Sequence, residues 1–157
     1  MSFTLETFET RADWLAARVG IGGSMAGAVL GHSDYESPLT AFLRCHDRID
    51  PVVESEAMFW GRELEAVVMK RIREVAGPAV GLDSFEAAGG FVIRRNVERP
   101  HIFATVDGLC SAPSRGRGIV EAKTAGAFAA DGWADGQIPP AYRAQVEHYL
   151  AALGEEY

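Results

Sequence analysis

Asp107, Glu121 and Lys123 are the residues whose types and spacing carry the clearest chemistry. They fall in Ala104-Thr-Val-Asp-Gly108 and Gly118-Ile-Val-Glu-Ala-Lys-Thr124, which read as two short neighbouring strands. Alternation along an extended strand puts Glu121 and Lys123 on one face, roughly 6–7 Å apart. The apolar run through Ile119 and Val120 buries the root of that strand. Two acids and an ammonium at one strand end can hold a divalent cation beside a phosphate, the arrangement used to cut phosphodiester bonds. The plainer reading is a charged hairpin face with a surface ion pair worth about 0–1 kcal/mol.

The elements that must position these groups are legible from periodicity and punctuation. Thr10 caps a first helix over Arg11–Arg18, which ends at Gly20. Ser24 opens a short second helix from Met25 to Leu30, and Ser37-Pro38 is a cap-plus-N1 pair for a third through Arg44. A long helix runs from about Val53 to Val75, with Trp60, Leu64, Val67, Val68, Ile72 and Val75 as its apolar stripe. Gly77-Pro78 stops it. Strands are predicted at 90–94, 101–104 and 118–121 between Gly, Asn, Pro and Ser turn signals. Residues 125–136 read as a loop or frayed helix around Trp133, and Ile138-Pro-Pro140 begins a last helix. Helices, then a small sheet, then a helix predict one α/β (α+β) layer domain over 1–157.

A chain of 157 residues suits a single domain, since domains commonly run to about 100–200 residues. No apolar run approaches the roughly 18 residues of a spanning helix, and the N-terminus lacks a signal layout. With Cys45 and Cys110 in no metal or disulfide spacing, a cytoplasmic, non-membrane protein is expected. The net charge of −7 argues against a generic nucleic-acid coat protein. It leaves a nuclease open, because acidic metal ligands count as negative while bound cations offset them locally. Basic residues cluster at Lys70, Arg71 and Arg73, at Arg94, Arg95 and Arg99, and at Arg115 and Arg117. The simple account of such clusters is a helix C-terminus complementing its dipole, or solvated loop charge.

Other polar residues sit awkwardly on apolar faces. Glu65 has Gly61, Val68 and Ile72 as helical neighbours and so points to the packed side, although Glu63 is nearly as good on spacing. A buried carboxylate is costly unless paired or metal-bound. Gln145 lies between Tyr142 and Tyr149 on the buried stripe of the last helix, where a satisfied interior amide is the ordinary reading. Gly20-Ile-Gly-Gly-Ser24 before a helix, with Arg18 adjacent, suits either a phosphate cradle or a tight helix connection. His32, His46, His101 and His148 show no metal-ligand spacing and read as structural. Trp133, in a polar Gly/Ala context, is the aromatic best placed to touch a substrate.

In their order along the chain these pieces resemble a known family. Trp14-Leu-Ala-Ala-Arg18, Ile21-Gly-Gly-Ser24, Trp60-Gly-Arg-Glu-Leu-Glu65, Ala104-Thr-Val-Asp-Gly-Leu109, Glu121-Ala-Lys-Thr124, Trp133 and Ile138-Pro-Pro-Ala-Tyr-Arg-Ala-Gln145 are similar to the phage-recombinase nucleases. These form the YqaJ-type and lambda-exonuclease-like branch of the PD-(D/E)xK superfamily. The resemblance covers about residues 11 to 154. It implies a restriction-endonuclease-like core, a small mixed central β-sheet flanked by helices. It also implies Mg²⁺- or Mn²⁺-dependent digestion of DNA, from a double-strand end in the 5′-to-3′ direction, during recombination.

Carried residue by residue, the resemblance selects Glu65 over Glu63 as the helix-borne carboxylate. Asp107, Glu121 and the Ala122 carbonyl become metal ligands, Lys123 aligns the attacking water, and Gln145 orients the site. Arg18 and Ser24 match the place where exonuclease members hold a terminal 5′ phosphate. A single-strand-annealing recombination protein and a ring-shaped homotrimer are the implied partners besides DNA. Two departures stand out: Met25 replaces the acidic residue common after the Gly-Gly-Ser turn, and the chain stops at Tyr157 where the family domain usually continues, which suggests a C-terminal truncation. The competing reading is a non-catalytic nuclease-fold module that binds DNA ends or a recombination partner. A small glycosidase using its carboxylate pair is a third, with no other residue in its favour.

Overall fold

A computed structural model describes residues 3–154, with backbone alone described at 127–131. The expectation attached to the chain end at Tyr157 lies outside the described residues. Phe3–Phe8 forms β1, a strand that the punctuation of the sequence did not signal. Thr10 then caps α1 (Arg11–Ala17), its side chain accepting from the Asp13 N–H at 3.1 Å. β2 (Ile21–Gly22) leads directly into α2 (Gly23–Val29), so the N-cap is Gly22 and Ser24 lies inside the helix rather than capping it. Ser37 caps α3 (Pro38–Cys45) with Pro38 at N1, as predicted.

The long helix is α4 (Glu56–Arg71), capped by Ser55. It does not stop at Gly77-Pro78. It widens into a π turn over Ile72–Ala76 and continues as α5 (Gly77–Ala79). Pro78 offers no N–H to the Glu74 carbonyl and its ring would crowd that carbonyl, which a wider turn accommodates. The predicted apolar stripe is also corrected. Trp60, Leu64 and Val67 are 55%, 41% and 63% exposed. The packed face is the one that carries Gly61, Val68, Met69 and Ile72.

The strands fall into two sheets rather than one. β4 (Phe91–Asn96) and β5 (Ile102–Ala104) complete a mixed four-stranded sheet in the order β1-β4-β5-β2, parallel only between β5 and β2. β3 (Ser84–Ala87), β6 (Gly108–Ala112) and β7 (Gly116–Val120) form an antiparallel three-stranded sheet in the order β3-β6-β7. Turns at Gly90 and Gly116, both with positive φ, suit residues without a Cβ. A 3-10 segment over Ala127–Gly136 and α6 (Pro140–Leu153) end the described chain.

α6 packs over both sheets and against α2. Its Tyr149, Ala152 and Leu153 join Ala104 and Val106 in the core. Close approach of α2 depends on glycine: a Cβ on Gly23 would stand 2.2 Å from the Tyr149 ring, and one on Gly27 would stand 2.9 Å from Ala141. Asn96, 1% exposed, donates to the carbonyls of Ala151 and Ala152 and accepts from the Arg99 N–H. That ties the end of β4 to the end of α6. His148 bonds the Phe103 carbonyl at 3.2 Å and so ties α6 to β5. No helix among the described residues is long and apolar enough to cross a membrane.

Candidate active site

β6 and β7 pair from Ala112↔Gly116 down to Gly108↔Val120. The next rung would be Asp107 opposite Glu121. Both acids therefore leave the hairpin at the same end, just past its last backbone pair. The chain turns at this point: the Asp107 carboxylate accepts from the Ala122 N–H at 2.8 Å. Lys123 Nζ lies 2.6 Å from Glu121 Oε1, so the same-face expectation from alternation holds although both residues follow the strand.

α6 supplies the third side. Gln145, 5% exposed, donates from Nε2 to Glu121 Oε1 at 2.5 Å and to the Tyr149 hydroxyl at 3.0 Å. Its place on the buried stripe is thus an interior amide in contact with the acidic pair. With both Nε2 hydrogens engaged, its carbonyl oxygen is set on the other side. Trp133 stacks on Tyr142 at 5.3 Å, and the Lys123 ammonium lies 5.4 Å from the Tyr142 ring centroid. Trp133 therefore backs the lysine through a second ring.

α4 brings Glu65 to the cavity that Asp107 also lines. Glu63 faces away and meets the Arg62 guanidinium at 3.3 Å, so the structure separates the two candidates that spacing left close. Among the described residues no three Asp, Glu, His or Cys side chains stand together at metal-ligating spacing. Glu65 is thus a wall of the cavity, while Asp107 and Glu121 form the close pair.

Burial dominates the electrostatics. It pushes Glu121 up to about 7, against the favourable charge of Lys123, with Asp107 and Glu65 raising it further. Asp107 is raised by burial despite its bonds from Ala122 and its neighbours. Glu65 is raised by burial first and by Asp107 second. Tyr149 is pushed up to about 12, again chiefly by burial. Glu121 Oε2 is buried and meets no donor. A carboxylate oxygen without a donor, inside a cluster of acids, is a poor resting state for the protein alone and a good ligand for a hard cation. The Asp107 and Glu121 carboxylates thus fit a divalent ion that prefers oxygen.

A second group lies across the same cavity, whose volume is about 550 Å³. Arg18 and Ser24 line it together with Glu65, Thr105, Asp107 and Tyr149. The Arg18 guanidinium rests 4.5 Å from the Trp14 ring centroid. Its backbone is clamped on both sides by Arg95, which donates to the carbonyls of Ala17 at 2.7 Å and Val19 at 3.0 Å. Arg95 is anchored in turn by Glu6 at 2.9 Å. Gly20 makes the turn possible, with φ of +113° and a Cβ position only 2.3 Å from the His101 carbonyl oxygen. The structure thus brings Arg18 and Ser24 to one cavity and adds two residues that the sequence did not single out, Tyr149 in its lining and Arg95 behind Arg18. Tyr149 follows Gln145 by one helical turn, which was the available signal.

Fold and site define a mixed α/β domain with an acid–lysine centre at the mouth of one hairpin, covered by a glutamine-bearing helix. A family model described as YqaJ-like viral recombinase domain matches residues 13–156, and the chain belongs to that family. The uncharacterized protein YqaJ of Bacillus subtilis (strain 168) is 35% identical over 151 residues, covering 94% of this chain and 44% of that protein. The chain thus spans less than half the length of this relative.

Proposed function

We propose that the protein is a metal-dependent deoxyribonuclease that hydrolyses phosphodiester bonds at double-strand ends in the 5′-to-3′ direction, as part of phage-type recombination. The observation that carries this reading is the Asp107–Glu121 pair at one hairpin mouth, with Lys123 Nζ 2.6 Å from Glu121 and Glu121 Oε2 lacking a donor. Family membership supports recombination as the setting. Asp107, Glu121 and the Ala122 carbonyl would hold Mg²⁺ or Mn²⁺, with Glu65 on the α4 wall of the cavity that Asp107 lines. When bound, such an ion supplies Lewis acidity toward a phosphoryl oxygen and lowers the pKa of water.

The chain's own residues do the remainder. Lys123, held between Glu121 and the Tyr142 ring, orients the attacking water and offsets charge that builds on the phosphate. Gln145 fixes the Glu121 carboxylate through its Nε2 donor. Arg18 and Ser24 take the 5′-terminal phosphate at the other end of the cavity, where a planar guanidinium suits a phosphate fork. Trp133 contributes through Tyr142 and, at its partly exposed edge, against the DNA.

The test is a time course on 5′-phosphorylated linear duplex and closed circular DNA with Mg²⁺. Release of mononucleotides from linear DNA alone is expected, with Asp107→Ala and Lys123→Ala inactive. Equal behaviour of wild type and both variants ends the assignment. DNA bound without cleavage in any divalent metal would favour a binding module instead.

A further inference from the structure

The cavity lined by Glu65 and Asp107 continues past Glu65 into a second one of about 390 Å³. Both share Arg62, Glu65, Ala88 and Asp107. They therefore form one trough with the acids at its middle and Arg18 toward one end. At the other end the helical wall carries Lys70 from α4 and Arg73 from the π turn, with the small residues Ala87 and Gly89 also lining the cavity.

The simple account of these two cations is that they complement a helix C-terminus, an effect confined to the last turn. The structure removes that account. The helical run passes through the π turn and ends only after Ala79, so Lys70 and Arg73 are interior to it. Nor are they spent on acids. Lys70 meets Glu74 only at 3.9 Å, with both side chains more than half exposed. Arg73 lies 5.6 Å from the Phe85 ring centroid and has no ion pair among the described residues. Arg62, by contrast, is taken by Glu54 and Glu63.

We infer that Lys70 and Arg73 form a phosphodiester track, which holds the backbone of the strand being digested on the side of Glu65 and Asp107 opposite Arg18. This rests on the nuclease reading above and extends it to the uncut part of the strand. Lys70 sits about 7.5 Å beyond Glu65 along the helix axis, at roughly 1.5 Å per residue. Two cations in series along a trough suit a repeating polyanion better than a single phosphate. The alanine and glycine of the lining leave room for the sugar chain.

The test is a Lys70→Ala/Arg73→Ala double variant of the full chain, with Arg73→Lys as the charge-keeping control. Binding of 5′-phosphorylated duplex is followed by fluorescence anisotropy across a salt series, without Mg²⁺. Loss of two phosphate contacts lowers the slope of log affinity against log salt by about 1.4–1.8. In cleavage with Mg²⁺, KM for long duplex rises about tenfold while kcat at saturation stays within about twofold. Hydrolysis of a dinucleotide, too short to reach the track, is unchanged in the double variant. An unchanged salt slope, or an equal penalty on dinucleotide and duplex, overturns the track. Because anisotropy needs no turnover, the track is judged even if wild-type protein cleaves nothing, a result that would end the nuclease reading separately.

Discussion

Nε2 of Gln145 donates to Oε1 of Glu121 at 2.5 Å and so joins α6 to the turn after β7. The same nitrogen donates to the Tyr149 hydroxyl at 3.0 Å, and flipping the amide would set its carbonyl oxygen against the Glu121 carboxylate and lose that bond. Partners that orient a metal-binding carboxylate typically matter about 10–100-fold in affinity or activity. Gln145→Ala is therefore expected to lower kcat by about 10–100-fold, and Tyr149→Phe by less. Steady-state rates at saturating Mg²⁺ check this, and a Gln145→Ala rate equal to wild type would remove the amide from the mechanism.

The acidic pair sets a pH dependence whose sign can be worked out. Glu121 goes from an ordinary value of 4.5 to about 7 in the folded chain, mainly through burial, and Asp107 and Glu65 move in the same direction. The folded protein thus holds protons more tightly than the unfolded chain. The contribution of these acids to metal-free stability is fully present below about 4.5 and is lost as pH rises through about 7. Melting in EDTA should show Tm falling across that window. Glu121→Gln, which cannot ionise, should flatten the fall.

The proposed metal binding would invert that slope. Protons compete with the cation for the same oxygens, so Mg²⁺ affinity and cleavage should rise with pH up to about 7 and then level. Titration calorimetry between pH 5.5 and 8 measures it, with proton release detected by changing the buffer. A pH-independent affinity would contradict Glu121 as a ligand.

Gly23 is fixed by Tyr149. The 2.2 Å clearance leaves no room for a methyl group, and the neighbouring atoms belong to a ring that is 2% exposed. Overpacking of this kind costs about 1–3 kcal/mol. Gly23→Ala should lower Tm by roughly 2–12 °C for a chain of this size. It should also reduce cleavage beyond the loss of stability, because Tyr149 carries the bond to Gln145.

Arg95 acts on Arg18 through the backbone. It holds the carbonyls on both sides of Arg18 and touches no part of the cavity itself. Arg95→Ala and Arg18→Ala should both erase the preference for 5′-phosphorylated over 5′-hydroxyl ends. Only Arg18→Ala should do so without a fall in Tm. Rates on the two kinds of end, compared within each variant, separate the cases.

Much of the site could be read from the chain because its parts are local. Asp107, Glu121 and Lys123 belong to one hairpin, and alternation alone placed two of them together. Glu65 over Glu63 was not decided by spacing, since both lie near apolar residues. The structure separates them by where α4 meets the sheet. The same docking hides Met69 and leaves Trp60 and Val67 outside, a choice that periodicity cannot make when both faces are apolar. β1 was missed because Phe3–Phe8 lacks flanking turn residues, and its register with β4 is a contact across more than eighty residues. Pro78 looked like a stop signal, yet a π turn absorbs it.

The Asp107–Glu121 hairpin has a consequence for how the chain comes together. Hairpins form in about 1–10 μs, well before distant helices dock. Like charges set opposite one another oppose strand pairing. The repulsion between these acids therefore falls on one of the earliest units to assemble, while α4 and α6 are still absent. Lys123, only two residues downstream, is the counter-charge that travels with them from the start.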